Sequence, residues 1–169
     1  MLKTKFPVAF ICLFFIVTPI SAQRLSALTY VKANKDRAIA FMHQFGLPAS
    51  IILAVAMHES AHGNSKIARH LNNHFGIKGP NRNRRIRSAY KDYESVDESY
   101  LDFVHCLQTR PAFQQLFDKY PINDYQSWVK GIARGGYAGS RQWARQVINM
   151  IERYHLDELD SIPGQKIMQ

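Results

Sequence analysis

Gly46-Leu47-Pro48-Ala49-Ser50-Ile51-Ile52-Leu53-Ala54-Val55-Ala56-Met57-His58-Glu59-Ser60-Ala61-His62-Gly63 is the stretch that decides the fold. Pro48 suits the first turn of a helix, and Gly46 is a good stop for the element before it. From about Pro48 to Glu59, apolar side chains (Ile51, Ile52, Leu53, Val55, Ala56, Met57) fall on nearly every side, so no face is left for water. A helix of that kind is buried. Polar groups then arrive abruptly, from His58 to Gly63, and Glu59 is the first acidic residue after Asp36.

Outward from this rod the chain reads as mostly helical. Val31, Ala38, Phe41, Met42 and Phe45 recur at helical spacing between Leu28 and Phe45. Glycines, Pro80 and a basic run between Gly76 and Tyr93 predict a loop and a short β-hairpin. Ser95-Val96-Asp97-Glu98 has the capping-box pattern and opens a helix carrying Tyr100, Phe103, Val104 and Leu107 inward. Pro111 interrupts that pattern, which resumes to Phe117. A further helix starts near Asp124, includes Trp128, Val129 and Ile132, and stops at Gly135-Gly136. The last runs from about Ser140 to Tyr154, with Trp143, Val147, Ile148 and Ile151 on one face, and the tail after Asp160 reads as frayed. There is no internal repeat.

The length of 169 residues fits one domain, and an apolar fraction of 46% excludes a disordered chain. Lys3 and Lys5, the apolar run from Phe6 to Val17, and the small residues Ser21 and Ala22 describe a signal peptide over residues 1–22. The domain then occupies residues 23–169, with its core over about 26–160, and the protein is expected to be exported to the periplasm or cell wall. An uncleaved N-terminal anchor is the alternative. Cleavage removes Cys12 and leaves Cys106, which reads as core, without an intramolecular partner. The net charge of +9, less Lys3 and Lys5, becomes +7, a balance that attracts anionic wall polymers, membrane surfaces and the carboxylates of peptide-bearing glycans. Arg82, Arg84, Arg85 and Arg87 cluster without a nucleic-acid motif, so nucleic acid is not an expected partner. The cluster reads equally as a binding patch or a solvated loop. Nothing in the sequence indicates an oligomer.

Two chemistries compete for Glu59. His58-Glu59-Ser60-Ala61-His62 matches H-E-x-x-H, in which two imidazoles on one helical face bind zinc and the Glu acts as base. That reading needs a third ligand and a helix that continues past His62, yet Gly63 follows at once. Glycoside cleavage instead needs a proton on the leaving oxygen and stabilisation of a cationic transition state. A carboxylic acid supplies the proton when apolar surroundings raise its pKa, and Glu59 ends a wholly apolar helix. A helix-end Glu satisfied by an arginine or a backbone amide fits the same pattern.

The segment from Gly46 to Ser65 resembles the catalytic segment of the endo-β-N-acetylglucosaminidases of glycoside hydrolase family 73, which includes autolysins and a flagellar muramidase domain. Asn73-His74-Phe75-Gly76-Ile77-Lys78-Gly79 resembles that family's N-x-F-G-I-K-G block, and Tyr93-Glu94-Ser95-Val96-Asp97-Glu98-Ser99 resembles its next one. Gly136-Tyr137-Ala138, with Trp128 upstream and Trp143-Ala144 downstream, resembles its last. Four blocks in the family's order cover about residues 26–160.

The resemblance implies a lysozyme-like, mainly α fold (α+β) with a small β-hairpin lobe beside a substrate groove. It implies hydrolysis of the β-1,4 bond after N-acetylglucosamine in peptidoglycan, with no cofactor and no metal. The matching positions make Glu59 the general acid and Tyr137 the hydroxyl that positions water or sugar. Asn73, Phe75 and Lys78, with His62, Tyr93 and Trp128, would shape the groove and bind substrate. Read from the residues alone, Tyr137 after two glycines also fits a packed helix junction, Phe75 fits packing, and Lys78 fits a solvated side chain.

The sequence departs from the family's pattern in three places. His58 and His62 stand where apolar or aromatic residues are usual, and Gly139-Ser140-Arg141 replaces T-D-P. No Asp or Glu lies between Glu59 and Asp92, where many members carry a second acid. Asp92 or Glu94 must then stand in, or the substrate's acetamido group or a water held by Tyr137 must serve. The competing functions are a lytic transglycosylase using the same Glu, the zinc protease, and a non-catalytic basic wall-binding protein.

Overall fold

The computed structural model describes residues 26–161, so the signal-peptide and frayed-tail readings lie outside the described residues. Helix α1 (Ala27–Phe45) starts where the Ser26 hydroxyl accepts from Thr29 N–H at 3.1 Å. It stops at Gly46, whose left-handed backbone returns an N–H to Met42 O at 2.8 Å. Helix α2 (Ala49–Ser60) is the rod, and every residue from Ala49 to Met57 is buried.

Seven further elements complete the described residues. They are α3 (Lys66–Leu71), α4 (Val96–Thr109), the single turns α5 (Pro111–Gln114) and α6 (Leu116–Lys119), α7 (Tyr125–Arg134), α8 (Trp143–Tyr154) and a 3₁₀ turn (Leu156–Ser161). α1, α4, α7, α8 and the 3₁₀ turn all touch the rod. Burying its large apolar side chains contributes roughly 1.5–3 kcal/mol each. The stripes read from the sequence face this core: Tyr100, Phe103, Val104 and Leu107 from α4, and Trp143, Val147 and Ile151 from α8. Cys106 packs half-buried at its edge.

Helix starts follow the expected chemistry with small shifts. Ser95 Oγ accepts from Glu98 N–H at 3.2 Å, but the Glu98 carboxylate reaches back to Glu94 N–H, one residue earlier than a capping box requires. Asp124 caps α7 by accepting from Ser127 N–H at 3.1 Å. Ser140 begins a turn that leads into α8.

The cap of α2 comes from far away in the chain. Pro48 has no side chain to offer the first turn. Asp160 of the 3₁₀ turn instead accepts from Ser50 N–H at 2.8 Å and from Ser50 Oγ–H at 2.6 Å. Its negative charge also faces the positive end of the helix dipole. Burial nevertheless pushes the Asp160 carboxyl up to about 6, opposed by these hydrogen bonds.

The expected β-hairpin is corrected to one isolated antiparallel bridge between Lys78 and Tyr90. Gly79 N–H donates to Ala89 O at 3.0 Å and Lys91 N–H to Ile77 O at 2.9 Å, and the pairing stops there. Asparagines take over beyond it. Asn81 Nδ2 donates to Ile86 O at 3.0 Å, and Asn83 Oδ1 accepts from Arg85 and Ile86 N–H at 2.9 and 3.1 Å. Such side-chain bonds compete with a strand ladder and win over this short length. Arg82, Arg84, Arg85 and Arg87 all point to solvent around this loop.

Replacing Asp160 by Ala strands Ser50 N–H and hydroxyl at the start of the buried rod. It is expected to destabilise the fold by about 1–2 kcal/mol, as lost helix caps do. A urea midpoint unchanged from wild type would show that the cap is idle.

Candidate active site

Glu59 is the penultimate residue of α2 and is half-buried. Its position follows from the rod: once the apolar residues are enclosed, the first polar turn emerges at the edge of the core. The Trp143 indole, only 2% exposed, donates Nε1–H to Glu59 Oε1 at 2.8 Å. Oε2 points toward Gly76. A Cβ placed on Gly76 would stand 3.8 Å from that oxygen and 3.8 Å from Tyr90 Cε1. Gly76 has φ +64°, a left-handed backbone that glycine adopts without strain, and this turn presents the bare backbone to the carboxylate.

Tyr137 completes the group. Its ring lies 5.3 Å from that of Trp143, with the edges of Phe103 and Phe113 at 5.6 and 6.4 Å. Its hydroxyl donates a long 3.4 Å bond to Phe75 O. Burial, with the Glu59 charge adding to it, holds the phenol well above its ordinary range. Tyr137 is therefore a hydrogen-bond donor at neutral pH and not a base. Glu59, Trp143, Tyr137, Gly76 and Tyr90 form one cluster where α2, α8 and the bridge lobe meet.

After Glu59 the chain turns sharply. Ala61, His62 and Gly63 all take positive φ, at 51°, 56° and 75°. Gly63 lies so close to Tyr30 that a Cβ there would meet the ring at 2.9 Å. The H-E-x-x-H reading fails here, because α2 ends at Ser60 and His62 does not continue the helical face of His58. Among the described residues, no group of three or more His, Cys, Asp and Glu side chains gathers as metal donors.

Residues 35–156 match the sequence model of the glucosaminidase family, described as mannosyl-glycoprotein endo-beta-N-acetylglucosaminidase. The chain belongs to this family. It is 27% identical over 152 residues to the exo-glucosaminidase LytG of Bacillus subtilis, covering 79% of this chain and 53% of that one. It is 26% identical over 147 residues to the peptidoglycan hydrolase FlgJ of Vibrio cholerae, covering 75% and 42%. The chain thus spans about half the length of these curated relatives. The catalytic domain of the autolysin Auto from Listeria monocytogenes shares the fold, with TM-score 0.65, 21% identity and coverage of 82% of this chain and 91% of that one. The fold is lysozyme-like and mostly helical.

The glucosaminidase blocks converge in space, with different duties from some of those expected. Asn73 is buried and donates to Ile77 O and Lys91 O at 2.9 and 2.8 Å, while its Oδ1 accepts from Phe75 and Ile77 N–H. It fixes the loop that presents Gly76 and has no group left for substrate. Phe75 stacks on Phe103 at 4.3 Å and is packing. Lys78 is exposed beside Tyr90's bridge.

Two expected substrate contacts are corrected. Tyr93 is 8% exposed and donates its hydroxyl to Asp102 at 2.7 Å, in a bond that Asp102 shares with Lys91. Trp128 is 1% exposed, packs on Phe117 and donates to Pro121 O. Neither ring has a free face for a sugar. His62 is half-buried beside Tyr154. Of the acids considered as stand-ins, Asp92 accepts from Arg82 N–H, and Glu94 is exposed.

The sequence reading missed a buried chain that joins α1, His74 and α4. Tyr30 hydroxyl pairs with His74 Nδ1 at 2.5 Å and with Tyr100 hydroxyl at 3.0 Å. Burial drives His74 down from 6.5 to about 4 and Tyr30 up to about 12. The imidazole is therefore neutral, and His74, Tyr30 and Tyr100 form one buried hydrogen-bonded chain. Arg37 lies over the Tyr100 ring and pairs with Asp97.

The buried, uncharged His74 has a pH consequence. Its folded pKa is depressed, so the unfolded chain binds the extra proton first. Stability from this residue is full above pH 6.5 and is lost as pH falls toward 4, by on the order of 2–3 kcal/mol. Asp160 acts in the opposite sense between 3.8 and about 6, because its folded pKa is raised. Comparing wild type with His74→Asn isolates the histidine. The variant is expected to lose less stability between pH 7 and pH 4.5, and parallel curves would refute the assignment.

Proposed function

We propose that this protein is exported and hydrolyses peptidoglycan glycan strands at the β-1,4 bond after N-acetylglucosamine, with Glu59 as general acid. One observation carries the reading: the Glu59 carboxyl is anchored through Oε1 by the Trp143 indole, while Oε2 lies toward Gly76 and Tyr90. The anchor fixes the plane of the carboxyl and leaves the second oxygen for a proton. The apolar run and lysines of residues 1–22 support export, and the basic surface would hold the enzyme to anionic wall polymers or membrane surfaces.

The proposed step needs a single carboxyl group. Glu59 Oε2–H gives its proton to the glycosidic oxygen as the C1–O bond breaks. The acetamido oxygen of the same sugar bonds to C1 as the leaving group departs. Water then adds to C1, the acetamido bond opens, and the water's proton returns to Glu59. Tyr137, kept protonated by its surroundings, donates to the incoming water or to the sugar. A second carboxylate is not required, in keeping with the acid-free stretch between Glu59 and Asp92.

Glu59→Gln keeps the shape and the indole bond but holds no transferable proton. It is expected to reduce release of reducing N-acetylglucosamine ends from purified walls by roughly 10³-fold or more while leaving wall binding intact. Full activity in this variant would fit a non-catalytic glutamate. Reducing muramic ends or 1,6-anhydro-muramic products from wild type would replace the bond assignment with a muramidase or a lytic transglycosylase.

Trp143→Phe removes only the anchor. Loss of a hydrogen bond to a charged group predicts a roughly ten- to hundredfold fall in kcat with little change in KM. An unaltered kcat in a folded variant would remove Trp143 from the mechanism.

A further inference from the structure

Between α2 and α8 lies an open surface cavity of about 300 Å³, with Gln146, Asn149 and Arg153 exposed along it. His58 and His62 form one wall, and Gln146, Asn149, Arg153 and Tyr154 the other. Glu59 lies between the two histidines in the chain, and Trp143, which anchors it, is one helical turn before Gln146. The cavity is therefore built on the same two helices that carry Glu59 and Trp143.

Its chemistry differs from that of a sugar-stacking cleft. The lining carries a guanidinium, two carboxamides, two imidazoles, a phenol and the Met150 thioether, and no carboxylate. His62 Nε2 is enclosed and has no hydrogen-bond partner in the protein. The same residue holds a left-handed backbone at φ +56°. An unpaired buried ring nitrogen and a disfavoured backbone both cost free energy, and both fall on one residue beside the acid. A guanidinium pairs in a forked geometry with a carboxylate, and carboxamides match peptide bonds as donor and acceptor.

We propose that this cavity binds the carboxylate of the peptide stem borne by the glycan, with Arg153 as charged anchor and Gln146 and Asn149 on the stem's amide groups. The inference rests on peptidoglycan being the substrate and adds a peptide-recognition site to the proposed sugar chemistry. It gives the cationic and amide face of α8 a ligand, with the two histidines as the facing wall.

The test is a titration of the isotope-labelled full-length protein with the dipeptide L-alanyl-γ-D-glutamate and with its fully amidated form, followed by NMR. Saturable shifts of the Gln146 and Asn149 side-chain amides are expected with the acid form, with affinity falling about tenfold on amidation and about tenfold in Arg153→Gln. Arg84→Gln, on the solvent-facing loop, is the control for charge attraction alone and is expected to bind as wild type does. Silence at the cavity, equal binding of the amidated peptide, or an equal loss in Arg84→Gln would overturn the proposal. The readout involves no turnover, so its outcome is separate from that of the Glu59→Gln assay.

Discussion

A helix without a polar face can be stable in water only if it is covered on every side, and that constraint organises the molecule. From Ile51 to Met57, α2 carries only apolar side chains, so α1, α4, α7, α8 and the 3₁₀ turn are arranged around it. Only its two ends are free to carry polar groups. One end meets Asp160 and the other carries Glu59. The carboxyl read here as the acid thus sits on the most rigid element available, and its position is set by packing that has no other function.

The lobe opposite Glu59 is built on a different principle. It contains almost no regular pairing, and Asn73, Asn81 and Asn83 hold its backbone in place of a ladder. Side-chain amides suit this task because each carries both donor and acceptor, which lets a short segment turn repeatedly without leaving main-chain groups unpaired. Asn73 is the central case. It bonds to both sides of the Lys78–Tyr90 bridge region and so determines where Gly76 meets the carboxylate. Glu59 is placed by apolar contacts, whereas the surface it faces is placed by amide contacts.

What the sequence made legible follows from the range of each interaction. The rod and the helical stripes were readable because hydrophobic periodicity is local. The asparagine-held loop was partly readable, since glycines, Pro80 and a basic run marked a loop between Gly76 and Tyr93, but the same segment suggested a short hairpin. Trp128 and Tyr93 were misplaced for another reason: a ring near a motif can face the cleft or the core, and neighbouring residues do not say which. The indole on Glu59 joins residues 84 apart, and the Tyr30–His74 pair joins residues 44 apart, so neither leaves a mark on local pattern. The unpaired Nε2 of His62 was invisible for the same reason, since a missing partner shows only in three dimensions.

The bond from Asp160 to Ser50 spans 110 residues and makes the interior of the domain a closed ring. Bundles of helices ordinarily assemble from neighbours in sequence and are fast for that reason. Here the first turn of the central helix stays incomplete until the far end of the ring has come round to it. The entropy of closing so long a loop must be met before the reward arrives. A mostly helical chain therefore holds the start of its central helix through a contact between residues 110 apart, and a nick in the intervening stretch would loosen, from its opposite end, the helix that carries Glu59.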